Sequence, residues 1–301
     1  MSIGIVILNW NGLKDTIECI ESLKKLAYPN VKIFVVDNKS LDDEAQKLAT
    51  YYNGLIQVIP LIENIGFSGG NNAGIKVSLE QKTDFILILN NDTVVEPDFL
   101  EPLIKKFEDD EKTGIAAPQI NYYSEPGRIW SDGGRIKKFF GSGYAYSDKL
   151  ENESDKKDKS VTFVSGCCML VKKEVFREIG LFDENFFLYV EDTDFCCRVL
   201  NAGYRIYVVP KSKIYHKVGA STKKDFSSFP LYYTTRNRLY FAKKNFPETY
   251  ILTILYIFFA MLIKSFGWFF SGQMKKIPTV KKSFEDFFKG HMGRRENEYR
   301  H

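Results

Sequence analysis

Four segments rich in acids and amides punctuate the 301-residue chain: Asn9-Trp10-Asn11-Gly12, Asp37-Asn38-Lys39-Ser40, Asn90-Asn91-Asp92 and Glu191-Asp192-Thr193-Asp194. Asp92 offers a hard oxygen of the kind Mg²⁺ or Mn²⁺ takes, and such an ion bridges phosphate oxygens. The amides of Asn90 and Asn91 can hydrogen-bond a ribose or hold a water, and Asp37 can accept from a pyrimidine N–H or a ribose hydroxyl. Asp192, with Glu191 beside it, can take a proton from an incoming hydroxyl. His216, one of three histidines, can join a cation's ligands or donate to a phosphate. Each group has a plainer reading. Asn90–Asp92 and Asp37–Ser40 are also good turn chemistry. Asp192 or Thr193 can cap a helix, Asp194 can pair with Arg198 four residues on, and a lone histidine after a strand is usually structural. The grouping is what suits a divalent cation and the diphosphate that travels with it.

Positioning these groups falls to the runs just before them, Ile3–Leu8, Val31–Val36, Phe85–Leu89 and Phe186–Val190, which have the β-branched or aromatic profile of buried strands. Polar groups at the carboxyl ends of parallel strands converge on one crevice, where open α/β sheets bind ligands. Helices are predicted over Thr16–Lys25 with Asp15 as N-cap, near Asp42–Tyr51, over Lys173–Ile179 and over Asp194–Gly203. Further strands are predicted at Ile56–Leu61, Ile115–Pro118, Thr162–Val171 and Ile206–Val209. The alternation over the first 120 or so residues implies a right-handed, mostly parallel sheet flanked by helices. Glycine-rich Gly66–Gly74 opens a helix ending near Gln81, and there lets backbone approach an anion. Its spacing is not the dinucleotide fingerprint, and it does not follow the first strand. Between 121 and 160 the periodicity dissolves into Gly, Ser, Tyr and charge, and this part is assigned to the acceptor side.

Charge is unevenly spread. The segment from Arg236 onward holds 13 of the 42 basic residues but 5 of the 38 acidic ones, so an acidic body carries a basic, aromatic tail. That asymmetry points to a membrane surface and away from nucleic acid. Within the tail, Ile251–Phe270 is apolar with Lys264 its only charge, long enough to span a bilayer and equally suited to lying in the interface. Cys19, Cys167, Cys168, Cys196 and Cys197 lack zinc spacing and read as buried thiols of a reducing compartment. No basic leader precedes Ile3–Leu8, and a cytoplasmic protein at the inner face of the cell membrane is expected.

Taken in order, these residues resemble the family 2 glycosyltransferases of GT-A fold, in the rhamnosyltransferase-like branch. The likeness covers about residues 3–240 and also takes in Asn64–Gly74, Gly180–Glu184, Tyr189–Asp194 and Tyr233–Arg238. It implies a nucleotide-diphosphate sugar donor, dTDP-rhamnose or a UDP-sugar, a glycan or lipid-linked acceptor, and inversion in one in-line displacement with Mn²⁺ or Mg²⁺. It also implies a donor-binding set of Leu8, Asn9, Asn11, Asp37, Asn64, Gly66, Phe67, Asn71, Asn90, Asn91 and Gly166. Asp192 matches the general base, with Glu191 completing the catalytic pair. The family's Asp-x-Asp metal motif here begins with Asn90, so Asp92 is the carboxylate carried over, and His216 gains weight as second ligand. The expected organisation is a catalytic domain over 1–240, with a donor half to 120 and an acceptor half after it, and a membrane-associating tail over 241–301; self-association stays open. Two other classes compete. A nucleotidyltransferase needs a basic glycine-rich loop after the first strand, which Asn9–Gly12 does not supply, and a non-catalytic sugar- or lipid-binding scaffold is suggested by Asn90.

Overall fold

The computed structural model describes residues 1–145, 148–152, 156–218 and 228–295. In chain order the elements are β1 (Ile3–Asn9), α1 (Leu13–Leu23), β2 (Val31–Asp37), α2 (Glu44–Tyr52), β3 (Ile56–Pro60), α3 (Gly66–Glu80), β4 (Phe85–Asn90), β5 (Thr93–Val95), α4 (Leu100–Asp109) and β6 (Thr113–Tyr122). The second half adds β7 (Arg128–Ser131), β8 (Gly134–Lys137), β9 (Ser142–Ala145), β10 (Lys149–Leu150), β11 (Lys159–Val161), β12 (Cys168–Lys172), α5 (Lys173–Ile179), α6 (Glu191–Asn201) and β13 (Arg205–His216). Three helices end the chain: α7 (Ser228–Asn245), α8 (Tyr250–Phe270) and α9 (Lys276–Lys289).

The main sheet runs β10-β7-β6-β12-β4-β1-β2-β3, with β13 beside β6 and also joined to β5 and β11. The expected parallel block is β3-β2-β1-β4. Beyond β4 the sheet turns antiparallel through β12 and becomes mixed. Side chains alternate across a strand, so β1 feeds two cores. Ile3, Ile5 and Ile7 pack toward α1, α2 and α4, while Val6 packs with Ile75 of α3 and Phe195 of α6. Register fixes the crevice: Asn9 lies opposite Asp37 and Leu8 opposite Asn90.

Four local expectations are corrected. Phe186–Val190 is no strand; Glu184–Phe186 forms a 3₁₀ turn, and Phe187, Tyr189 and Val190 all have positive φ. Asp15 does not cap α1, whose cap is Gly12; its carboxylate pairs with Lys217 at 2.8 Å. Thr162–Val171 divides into the end of the preceding connection and β12, while the short strand at Ile206 grows into the twelve-residue β13. Residues 121–160 carry the short antiparallel strands β7 to β11. Residue 240 falls inside α7, so that one helix links the sheet domain to the tail.

Candidate active site

Where β1 and β2 end, the side chains bind one another tightly. Asn9 donates from Nδ2 to Asp37 Oδ1 (2.9 Å), Ser40 Oγ (3.1 Å) and Glu44 Oε2 (2.8 Å), and its Oδ1 accepts from Thr16 Oγ1 (2.7 Å). Both of its amide hydrogens are used inside the protein, and Asn9 so holds Asp37 in place. Asp37 is buried and its Oδ2 accepts from the Ser40 N–H at 3.1 Å, leaving lone pairs on both oxygens. Asn11 sits at φ +52°, where asparagine is tolerated, and its Oδ1 takes the Leu41 N–H at 2.7 Å.

Beside this network lies a pocket of about 130 Å³ lined by Leu8, Trp10, Asn38, Asn64, Gly66, Phe67, Phe187, Leu188 and Phe229. Leu8, Asn64, Gly66 and Phe67 were expected there. Asn38 was missed because its amide reads as part of a turn, yet it bonds Asn64 Oδ1, the Gly66 carbonyl and the Ile65 N–H and so shapes the wall. Phe187 and Leu188 were hidden in the supposed strand, and Phe229 carries no local signal. The glycines serve a different purpose from the one expected. The α3 N–H groups of Phe67 and Ser68 are taken by the Phe187 carbonyl, at 2.7 and 3.4 Å, and Gly66 N–H by Asn64 Oδ1 at 2.9 Å. No ready anion cradle is left there. Gly70 and Gly74 instead face the sheet, where a Cβ would collide with Leu8 and Val6. Asn71 donates to the Phe67 carbonyl at 2.9 Å, and its Oδ1 is buried with no partner.

A second cluster forms at the end of β4. Asn90 gives its backbone N–H to the Cys167 carbonyl at 2.8 Å, and Asn91 turns its amide to Thr16 Oγ1 at 2.9 Å. Asp92 and His216 meet because β5 and the end of β13 are paired, His216 opposite Thr93. His216 Nε2 lies 3.1 Å from Asp92 Oδ1, but off the hydrogen-bond direction, so Oδ1 remains buried and unsatisfied, as does His216 Nδ1. The Trp130 ring packs edge-on against the imidazole at 4.5 Å. Burial disfavours a charge on His216, but the Cys167 sulfur and the Asp92 carboxylate outweigh it and push its pKa up to about 10. The unsatisfied Asp92 Oδ1 is a hard oxygen of the kind a divalent cation takes, and His216, protonated as it stands, would have to give up its ring proton to join it. Among the described residues no set of three His, Cys, Asp or Glu side chains is arranged to hold a metal ion.

Glu191 and Asp192 open α6. Asp192 Oδ2 accepts the Gly166 N–H at 3.1 Å, and Oδ1 accepts the Thr193 N–H at 2.7 Å. Burial raises the Asp192 pKa, and these N–H groups restrain the rise. Glu191 is raised much further, by burial and by the neighbouring Asp192 charge, and its Oε2 has no partner. Asp194 proves structural, as one reading of the sequence had it: it holds Arg198 Nε at 2.8 Å, Lys244 and Asn245. The turn Ser165–Cys167 joins the two acidic clusters. Gly166 reaches Asp192 on one side, a Cβ on it would press against Phe67, and the next residue's thiol lies against His216 on the other. Asp92 and Asp192 thus flank a single turn.

Comparison with known proteins gives the family and the fold. The model for glycosyl transferase family 2 matches residues 4–180, and that for the N-terminal domain of galactosyltransferase matches residues 149–219. A dTDP-rhamnosyl transferase, RfbF, of Shigella flexneri is 29% identical over 294 residues, covering 93% of this chain and 92% of the relative. The crystal structure of S. aureus TarS 1-349 superposes with a TM-score of 0.59 at 16% identity, covering 96% of this chain and 80% of that one. GalNAc-T7 crystallised with UDP, GalNAc and Mn²⁺ gives a TM-score of 0.58 at 18% identity over 71% of this chain and 43% of its own. The fold is GT-A, and the nucleotidyltransferase reading is set aside. A family match spanning well over half of the sequence places the chain in glycosyl transferase family 2 and makes it a glycosyltransferase.

Proposed function

We propose that this enzyme moves a sugar from dTDP-rhamnose or a UDP-sugar to a hydroxyl of a glycan or lipid-linked acceptor in surface polysaccharide synthesis, with inversion and with Mn²⁺ or Mg²⁺. The observation that carries the reading is the placement of Asp192 and of the Asp92–His216 pair on two sides of the Ser165–Cys167 turn. Asp192 takes the proton of the acceptor hydroxyl as it attacks, because an alcohol is a poor nucleophile until its proton begins to leave. Its raised pKa makes it a stronger base than an exposed aspartate, and Glu191 stays neutral beside it. A single base suffices for inversion, since no covalent intermediate forms. Asp92 and His216 are the residues that would hold the cation, His216 giving up its ring proton to do so. A cation held there would supply charge to offset that of the departing diphosphate. Asp37, kept in place by Asn9, receives a hydrogen bond from the nucleoside, and the Leu8–Phe67 pocket takes an apolar part of the donor.

The relative that uses a dTDP-rhamnosyl donor favours dTDP-rhamnose, and the Mn²⁺ and UDP of the GalNAc-T7 structure favour a divalent cation at a nucleoside diphosphate. Residues 1–240 form the catalytic domain in this reading, and the tail lies on the cytoplasmic membrane face, where a lipid-linked acceptor is found. α8 supports that placement: it is 21 residues long, strongly apolar and mostly uncovered by protein. The test is Asp192→Asn. Turnover of the donor is expected to fall by about 10²- to 10⁴-fold while nucleoside diphosphate affinity in Mn²⁺ is retained. Equal loss of both would show that Asp192 is a binding group and not the base.

A further inference from the structure

We propose that Asn237, on α7, is a positioning residue for the transfer reaction: its amide clamps the strained segment that delivers Asp192. This rests on Asp192 being the base. Phe187 adopts φ +56° and ψ −60°, a γ-turn of the rare hand, closed by Leu188 N–H to the Phe186 carbonyl at 2.6 Å. Tyr189 (φ +68°) and the β-branched Val190 (φ +76°) follow in left-handed backbone, and α6 begins at the next residue. Conformations of this kind are strained and persist only where the surroundings enforce them.

The enforcement is visible. Asn237 Nδ2 donates to the carbonyls of Phe186 (2.6 Å), Leu188 (2.9 Å) and Tyr189 (2.8 Å). Its Oδ1 accepts Arg236 Nε at 3.1 Å, which fixes the amide with its nitrogen toward the segment. Both side chains are buried, and the guanidinium lies over the rings of Tyr232 and Tyr233, 5.2 and 5.0 Å from their centres. From the other side the Phe187 carbonyl receives two N–H groups of α3. The segment is therefore gripped by α7 and α3 at once, and its rigid exit sets where Asp192 meets Gly166. Phe187 and Leu188 also line the pocket assigned to the donor, so one clamp serves base and donor wall together.

The experiment compares the full chain with Asn237→Ala and Asn237→Ser, the latter keeping one donor if the former folds poorly. Amide hydrogen exchange of the peptide covering residues 186–195 is followed, together with the pH dependence of kcat for whichever dTDP- or UDP-sugar the parent hydrolyses fastest. Exchange is expected to rise in that peptide, and kcat to fall by about 10- to 100-fold, because small misplacements of a catalytic group cost that much. Donor KM is expected to rise as well, because Phe187 and Leu188 line the donor pocket. The acid limb of kcat should move to lower pH, as a released Asp192 becomes hydrated and loses the burial that raises its pKa; the ionisable neighbours bearing on it are Glu191 and Cys196. A residue that only fills space would lower melting temperature and leave that limb where it is. Unchanged exchange, or raised exchange with kcat and the acid limb both unmoved, overturns the proposal. Full turnover in Asp192→Asn would instead overturn the base assignment, and exchange alone would then judge the clamp.

Discussion

Glu191 and Asp192 are adjacent carboxyls at a buried helix start, and two charges cannot be held there cheaply. Burial acts on both, and the Asp192 oxygens are met by N–H donors whereas Glu191 Oε2 meets none. Asp192 is therefore the one to ionise, and Glu191 keeps its proton. This has a consequence for stability. The folded state binds the Glu191 proton more tightly than the unfolded chain does, since its pKa is raised well above the ordinary value. The contribution is complete below the ordinary glutamate pKa and is lost as pH rises through the folded value. Glu191→Gln stays neutral throughout. Its melting temperature is expected to decline less than the parent's as pH rises from the ordinary glutamate range through the raised folded value, as followed by thermal denaturation. Parallel curves for the two proteins would mean that Glu191 is already ionised near neutrality.

At the scale of elements, α3 shows how one helix combines packing with site geometry. Gly66 has φ +79° and a Cβ there would strike the Phe187 carbonyl, while a Cβ at Gly74 would press into Val6 and Val36 of the sheet. Gly74→Ala should therefore destabilise by about 1–3 kcal/mol through overpacking, partly offset by the better helix propensity of alanine, with donor KM little changed. Gly66→Ala combines the left-handed strain with displacement of Phe187, so it should raise donor KM as well. Urea denaturation and donor saturation curves separate the two; equal KM values would show that the Phe187 contact does not shape the pocket. The same helix shows what the sequence could convey. β1, β2 and β4 were legible because buried parallel strands are uninterrupted apolar runs, and their polar ends fell on Asn9, Asp37 and Asn90 as expected. Phe186–Val190 has an equally strand-like composition, yet its shape is imposed by Asn237 and by α3, contacts distant in sequence. The use of Asn9, Asn38 and Asn71 as internal struts was equally hidden, because an amide gives no sign in sequence of whether its partner is protein or ligand. The bulges and short antiparallel strands after Tyr122 lack the long periodic runs that made the first half readable.

At the scale of the whole molecule, the GT-A domain carries the apolar helix α8 at its C-terminal side. Ile251, Phe259, Ile263, Phe266 and Phe270 are all more than half exposed, while Thr253, Ile257 and Met261 pack inward. α9 is held to α7 by Tyr232 Oη donating to Asp286 at 2.7 Å, and its Val280 and Phe287 share a cluster with Ile257 and Met261. At 1.5 Å per residue α8 is about 30 Å long, enough to cross a bilayer. Crossing would drag α9, with Lys276, Lys281, Lys282 and Lys289, into hydrocarbon, a placement costing several kcal/mol for charges at depth. Lying flat puts the exposed stripe of α8 among acyl chains and leaves those lysines for anionic headgroups. Phe259→Glu combined with Phe266→Glu changes outward-facing positions and so should spare the fold. It is expected to abolish sedimentation with vesicles of anionic phospholipid and to leave hydrolysis of a soluble nucleotide sugar unchanged. Parent binding should weaken as salt is raised, since the lysine contribution is screened. Binding that survives the double substitution would place the contact elsewhere on the protein, and parent protein extractable only with detergent would show that α8 crosses the bilayer after all.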